Sequence, residues 1–487
     1  MKIRAILRTL VCAAAVALPT LSTAQAAPPI YPNLPAEIQQ TLRASGMSTW
    51  GMSAHVQAIG SPRPLISHNA QIARNPASVM KLLTAYVSLG VLGPNYRWPI
   101  EITTNGQLRN GVLSGNVYIK GYGAPDFDTA GLREMLSQLR RKGIHTIRGR
   151  LVFDDTFFNG PKIDPGAFDG KPYASYNAQP DALMFNERRS HFTASRKGNR
   201  IRVTTSTPAH NLKIVNRIKR ARRSCRVSTR VKRGRGDAVT VTFSGYLARR
   251  CRSRSFTMAI TDPANTMYSA IKRIWTKELK GNFNAQFMVG ATPANVRPIY
   301  THYSKNLAQL LPRVMKDSNN VMARQLMRSV GAKRFGAPGT PKKGAEAIDD
   351  YLRSQGLNFP ELRIENGSGL SRYARISTQS VARLLTKAYY SPYRDILLQS
   401  MAVAGVDGTM KGRLRQSAVR GRGFFKTGTL RDVRGIAGYV NAADGRTYVV
   451  SILHNDPAAR RRGRRIHDNF IEWVFWGKQA QQIATGY

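Results

Sequence analysis

Between about residues 95 and 295 the chain stops reading as helix and becomes a succession of short strands and turns, and this interruption limits the folds open to it. The segments "IEITTNGQLRNGVLSGNVYIKGYG", "GRLVFDD", "RIRVTTSTP", "DAVTVTFSG" and "SFTMAITDP" alternate apolar and polar residues. Asn105-Gly106, Asn110-Gly111 and Ser114-Gly115 are hairpin-type turn pairs. A stretch of this length is too long to be a loop, so it is inserted structure. Before it, strand-like "WGMSAHVQAI" and "PLISHN" lead into a helix that stops at Gly93 and Pro94. After it, helical periodicity runs through "LAQLLPRVMKDSNNVMARQLMRSV", "KKGAEAIDDYLRSQG" and "TQSVARLLTKAYY". Strands follow in "RGFFKTGT" and "GIAGYVNAADGRTYVVSILHN", turning at Asp444-Gly445, and a last amphipathic helix aligns Ile466, Phe470 and Val474. The two ends thus supply one mixed helix-and-sheet unit that the middle interrupts. A length of 487 residues fits two or three domains.

The N-terminus sets the compartment. Residues 1–26 combine a basic start (Lys2, Arg4, Arg8), a short apolar run and small residues at Ala24 and Ala26, the pattern of a secretory signal peptide cut before Ala27. A membrane anchor needs about 20 apolar residues, and Arg8 and Pro19 leave too few. Export to the periplasm as a soluble protein is therefore expected. Cys12 leaves with the leader, and the remaining Cys225 and Cys251, 26 residues apart, are expected to form a disulfide worth roughly 3 kcal/mol. The charge is strongly positive, 75 Lys and Arg against 27 Asp and Glu, and densest in "NRIKRARRSCRVSTRVKRGRG" and "ARRRGRRIH". Inside a cell such runs would suggest nucleic acid. In an exported chain the abundant partners are anionic wall polymers and lipid head groups, and no nucleic-acid partner is expected. A merely solvated basic surface is the alternative.

Chemistry concentrates at three places. In "RNPASVMKLLTAY" Asn75 suits a helix N-cap and Pro76 the first helical position, which puts Ser78 in the first turn, where unpartnered amides can face an anion. Lys81, three residues on, raises its amine on the same face as the hydroxyl. A lysine can serve as base to a serine only if burial or a neighbouring cation lowers its pKa, and the apolar "LLTAYVSLGVLG" that follows provides burial. In "DSNNVMARQLM", Ser318 offers a hydroxyl to relay a proton and Asn320 a carboxamide to hold a substrate amide. In "GFFKTGTL", Lys426 and Thr427 can bind a carboxylate, Gly428 permits close backbone approach, and Lys426 would help depress the pKa of Lys81. Taken singly, each has a plain alternative: a chance match, a helix cap, an exposed strand lysine. No H-E-x-x-H or Cys/His ligand spacing occurs, so neither metal nor cofactor is expected.

In this order the three resemble the S-x-x-K, S-D-N and K-T-G signature of penicillin-recognising serine enzymes. With "LSGNVYIKGYGAPDF", "NGSGLSR" and "GVDGTMKGRL" added, nearly the whole mature chain resembles the D-alanyl-D-alanine carboxypeptidase/endopeptidase family of class C low-molecular-mass penicillin-binding proteins, serine peptidases of the DacB type. The resemblance implies an α/β fold: a β-lactamase/transpeptidase-like serine acyltransferase domain with an antiparallel sheet and helices, interrupted by a large strand-rich insert that holds a nested third domain. The expected division is a catalytic domain at 27–94 and 297–487, an inserted domain at 95–186 and 257–296, and a nested basic domain at 187–256. The 240 residues between Ser78 and Ser318 leave room for such an insert. The resemblance further implies Ser78 as acylated nucleophile, Lys81 as its base, Ser318 and Asn320 as the middle motif, and Lys426, Thr427 and Gly428 as the third. The amides of Ser78 and Thr429 would form the oxyanion hole. Wall peptides ending in D-Ala-D-Ala would be substrates and β-lactams acylating inhibitors. Two positions depart from the family pattern: Asn366 replaces the usual aspartate before Gly-Ser-Gly-Leu-Ser, and Arg324 falls where an acidic residue is common. A serine β-lactamase or esterase on the same fold, and a non-catalytic basic wall-binding module, are the alternatives.

Overall fold

The computed structural model describes residues 33–477 apart from positions 162 and 236; the leader assigned to residues 1–26 lies outside the described residues. Its centre is a six-stranded antiparallel sheet ordered Ala402–Val403, Gly423–Thr429, Val433–Asn441, Thr447–Asn455, Met52–Ala58, Ile66–His68. The early strand Met52–Ala58 lies against the late strand Thr447–Asn455, with Met52 opposite His454, so the two ends of the chain complete one sheet. Successive side chains of a strand point to opposite faces. Accordingly Ala437, Tyr439, Val449 and Leu453 join one core, while Ile436, Val440, Val450 and Ile452 join another. Helix Ala459–Trp476 covers the second face, and helix Ala36–Ala44 packs on that helix.

The first face packs against Thr378–Tyr389 and, through the turn before it, against helix Lys81–Leu92. Every residue of that helix from Lys81 to Leu89 is buried, as a helix with no solvated face requires. It ends, as the sequence predicts, at Gly93, whose φ of +85° suits glycine. Its neighbour Asn320–Phe335 starts at Asn319, whose Oδ1 accepts the amides of Val321 and Met322. The helical stretch expected across 307–330 is broken between Leu307–Met315 and Asn320–Phe335, which leaves Ser318 in the turn.

The inserted region closes on itself twice. Its first and last strands, Pro99–Thr104 and Arg297–Tyr303, pair antiparallel at the edge of a five-stranded sheet, beside a smaller four-stranded one. Within it, Ser190–Lys197 and Ser253–Met258 also pair, and the chain between them makes a further sheet of Leu212–Ala221, Val239–Ala248 and Val227–Arg233 around its own small core. Cys225 and Cys251 are disulfide-bonded, with Cα atoms 6.2 Å apart. The region is less purely strand than its turn-rich sequence suggests. Asp128 caps helix Thr129–Arg141, which buries Leu132, Met135, Leu136 and Leu139, and Asp262 caps Pro263–Arg273. Leu132, Ile102, Phe153 and Trp275 belong to the same buried cluster as Leu83 and Leu326, so the insert shares a core with the unit it interrupts.

Candidate active site

Ser78 sits in a short 3₁₀ turn, Ala77–Met80, that opens helix Lys81–Leu92. The start is tighter than a plain α-helical N-terminus because neighbouring segments hold it. Asn75 Oδ1 accepts the Ala77 amide at 2.9 Å, and Asn75 Nδ2 donates to Ser371 O at 2.9 Å. Asn455 brackets the same residue, accepting the Asn75 amide at 2.8 Å and donating to its carbonyl at 3.1 Å. Ala77 has a φ of +46°, in the left-handed region that side chains with a Cβ disfavour by about 1–3 kcal/mol. Two glycines let other segments close on this turn. A Cβ on Gly369 would lie 1.7 Å from Ala77 O, and one on Gly428 would lie 2.6 Å from Pro76 O and 3.0 Å from Ser78 N.

Lys81 is fully buried. Its Nζ lies 2.9 Å from Ser78 Oγ, 2.7 Å from Asn320 Oδ1 and 2.6 Å from Ser368 O. Asn320 orients its carboxamide by donating from Nδ2 to Tyr176 O at 3.3 Å. Two of the three partners of Lys81 can therefore only accept. A neutral amine has two N–H groups for them and one lone pair left, which then faces the serine hydroxyl. Burial, followed by the charges of Lys426 and Arg324, holds the Lys81 pKa well below its ordinary 10.5.

Lys426, on the central strand Gly423–Thr429, is also fully buried, and burial lowers its pKa to about 7. Its Nζ donates to Ser318 Oγ at 2.9 Å and to Thr427 O at 2.7 Å. Among the described residues neither lysine is ion-paired to a carboxylate. The structure thus brings together two neighbouring hydrogen-bonded groups, Ser78–Lys81–Asn320 and Ser318–Lys426, near enough that the charge of Lys426 acts on Lys81, with Thr427 half-buried, Gly428 against the Ser78 turn, and Thr429 exposed at the end of the strand. Thr429 Oγ1 accepts from Arg434 at 2.9 Å.

Several contributors carry no side-chain signature in the sequence. Ser368 acts through its carbonyl, presented by a turn that Asn366 organises: Asn366 Oδ1 accepts from Ser368 N and Oγ, and Nδ2 donates to Leu370 O. Asn366 thereby makes the acceptor bonds an aspartate would and adds a donor. Arg324 is only 7% exposed and donates to Ala178 O at 2.8 Å, pinning a wall of the insert to the helix that begins at Asn320. An acid at that position could not make this bond. Glu187, from the insert, accepts from Asn319 Nδ2 and is ion-paired to Arg189 and Arg313, steadying the turn that holds Ser318. Beside the Asn366–Leu370 turn lies a cavity of about 670 Å³, lined among others by Asp164, Phe168, Asn177, Arg324 and Arg372.

The D-Ala-D-Ala carboxypeptidase 3 (S13) family matches residues 34–474. The chain is 25% identical over 390 residues to the D-alanyl-D-alanine carboxypeptidase DacB of Haemophilus influenzae, covering 78% of this chain and 80% of that one. It is 28% identical over 406 residues to a D-alanyl-D-alanine carboxypeptidase of an Actinomadura species, covering 79% and 74%. The crystal structure of penicillin binding protein 4 (dacB) from H. influenzae has the same fold, with a TM-score of 0.77 at 21% identity, over 91% of this chain and 100% of that one. With its motifs gathered as described and its length matched almost end to end, the chain belongs to the D-Ala-D-Ala carboxypeptidase 3 (S13) family.

Proposed function

We propose that the protein is a peptidoglycan D-alanyl-D-alanine carboxypeptidase that also cuts the equivalent bond in cross-linked peptides, through an acyl enzyme on Ser78. The observation that carries this reading is the buried Lys81 amine, 2.9 Å from Ser78 Oγ, with its other two partners both acceptors. Ser78 Oγ attacks the carbonyl of the penultimate D-alanine while its proton passes to the Lys81 lone pair. The oxyanion forms between the amides of Ser78 and Thr429. Lys426 and Thr427 bind the terminal carboxylate, and Ser318, hydrogen-bonded to Lys426, gives its proton to the departing amine and takes one back from Lys81, whose amine is thereby neutral again. Terminal D-alanine leaves, and water, activated by the same amine, hydrolyses the ester. The cavity beside the Asn366–Leu370 turn accommodates the peptide on the N-terminal side of the cut bond. On this reading the chain divides into a catalytic unit (27–94 and 297–487), an insert (95–186 and 257–296) and a nested unit (187–256). The protein acts in the periplasm, and among the described residues no helix is long and apolar enough to cross a membrane.

Incubation of the mature protein with a labelled penicillin, beside Ser78→Ala, tests the proposal. Covalent label that is lost slowly, in the parent alone, is expected. Rapid release of hydrolysed penicillin would instead indicate a β-lactamase, and absence of label would leave a wall-binding module without catalysis.

A further inference from the structure

The nested unit carries charge that the rest of the molecule does not use. Residues 187–256 hold 21 Lys and Arg but only two acids, Glu187 and Asp237, and Glu187 is already committed to Arg189, Arg313 and Asn319. The three-stranded sheet orders these cations. Its inner face buries Val239, Val241 and Phe243 of the central strand, with Ile214 and Ile218 on one side and Val231 on the other. Alternation then sends Thr240, Thr242 and Ser244 of the central strand outward, consistent with Ser244 Oγ lying 3.1 Å from Ser228 Oγ of the neighbouring strand. In the register of the sheet, Lys213, Val215 and Arg217 sit beside Thr240, Thr242 and Ser244, and Lys219 beside Tyr246. On the opposite edge Lys232 and Arg230 sit beside Thr240 and Thr242.

The outer face is therefore a stripe of hydroxyls between two rows of cations, ending in Tyr246, which is 47% exposed. Neighbouring strands lie about 4.8 Å apart, so the rows stand about 10 Å apart, and alternate residues along a row are about 7 Å apart. Among the described residues none of Lys213, Arg217, Lys219, Arg230 and Lys232 is ion-paired. Left bare, the two rows repel themselves and each other; an anionic partner would remove that cost.

We propose that this face binds a linear, carboxylate-bearing glycan, namely the peptidoglycan strand that carries the wall peptides. The identification of the polymer rests on the function proposed above. The chemistry favours a sugar chain over a bare polyanion. Hydroxyl side chains and an amphipathic tyrosine suit sugar rings along the central strand, while the flanking cations meet carboxylates projecting to either side. The stripe between the two flanking strands, about 10 Å across, matches the width of one such chain. The nested unit thus tethers the enzyme to the polymer whose peptides it trims.

Co-sedimentation with purified, insoluble peptidoglycan tests this, using Ser78→Ala so that binding is read without turnover. Two variants are made in that background: Lys213→Gln/Arg217→Gln/Lys232→Gln, and Thr242→Glu, which places a negative charge in the hydroxyl stripe without touching the cations. Both are expected to weaken retention about tenfold or more, the first by loss of cations and the second by repulsion of the anionic polymer, and raised salt should weaken retention of the unmodified face. In the Ser78 background the same changes should leave penicillin labelling intact, which shows that the fold survives. Retention equal to that of the unmodified face would overturn the proposal. So would binding to duplex DNA or to anionic phospholipid vesicles without binding to peptidoglycan, which would assign the face to those partners. Failure of penicillin to label Ser78 would overturn the proposed reaction and leave this binding result to stand or fall separately.

Discussion

At the scale of single residues the site depends on two buried lysines, Lys81 and Lys426, that have no counter-ion among the described residues. Each is more easily deprotonated in the fold than in the unfolded chain, so the folded state binds fewer protons, and its stability rises with pH across the interval between the two pKa values. For Lys426 that interval opens near pH 7, the folded value, and closes at the ordinary lysine value of 10.5; below it the full cost of the buried cation is present. Replacing Lys81 by Met should therefore raise the melting temperature by an amount equivalent to about 1–3 kcal/mol, while penicillin acylation falls about 10²–10⁴-fold. Scanning calorimetry and labelling kinetics measure the two together. Acylation requires the neutral form of Lys81, so its rate should climb with pH through the lowered pKa of that group. Arg324→Met removes one of the charges that lower it, and the acid limb of the kcat/KM profile should shift to higher pH. An unchanged limb would show that burial and Lys426 suffice. The sequence identified Ser78, Lys81, Ser318, Asn320 and Lys426 because a hydroxyl, an amine and a carboxamide at fixed spacings are visible as residue types. It could not identify the Ser368 carbonyl, since every residue has one and only the fold decides which one faces the site.

At the scale of elements, the site is held by close backbone approaches. The strand Gly423–Thr429 lies against the Ser78 turn because Gly428 has no Cβ, and the Gly367–Gly369 turn closes over Ala77 for the same reason. Gly428→Ala should reduce acylation about 10²-fold through displacement of the turn, although the residue itself takes no part in proton transfer; labelling rates measure this. The elements were legible where one period dominated. Alternation marked the strands, and Asn110-Gly111 and Asp444-Gly445 lie at hairpin turns, whereas Asn105-Gly106 and Ser114-Gly115, which carry the same residue signal, join strands of different sheets. Helix Thr129–Arg141 carries a clear helical spacing of Leu132, Met135, Leu136 and Leu139, but it stands among strands whose turn pairs set the reading of the whole region. The break at 316–319 agrees with the helix cap that the sequence offers there, but its position is set by tertiary partners, among them Glu187, while apolar residues continue on both sides of it.

At the scale of the whole molecule, the two insertions differ in how they attach. The outer insert shares a continuous core with the catalytic unit, whereas the nested sheet has a core of its own, and the strands that begin and end the nested unit lie side by side, with Phe192 opposite Phe256. Replacing residues 192–256 with a short turn should consequently leave a folded protein that penicillin still labels, but one that peptidoglycan no longer retains. Replacing both Cys225 and Cys251 by Ser should destabilise the nested unit by about 3 kcal/mol, read by hydrogen exchange, with little effect on acylation. That the middle of the chain carries sheets of its own followed from its length and texture. That its parts attach differently did not, because sharing a core is a property of packing between residues far apart in sequence. The proposed reaction depends on the protonation state of one amine. NMR titration of the protein labelled at the lysine ε-carbons, with the Lys81 signal assigned by its loss in Lys81→Met, measures that state directly. The account predicts a midpoint far below 10.5. A Lys81 that titrates at the ordinary lysine value, and so remains charged while Ser78 is acylated, would contradict it.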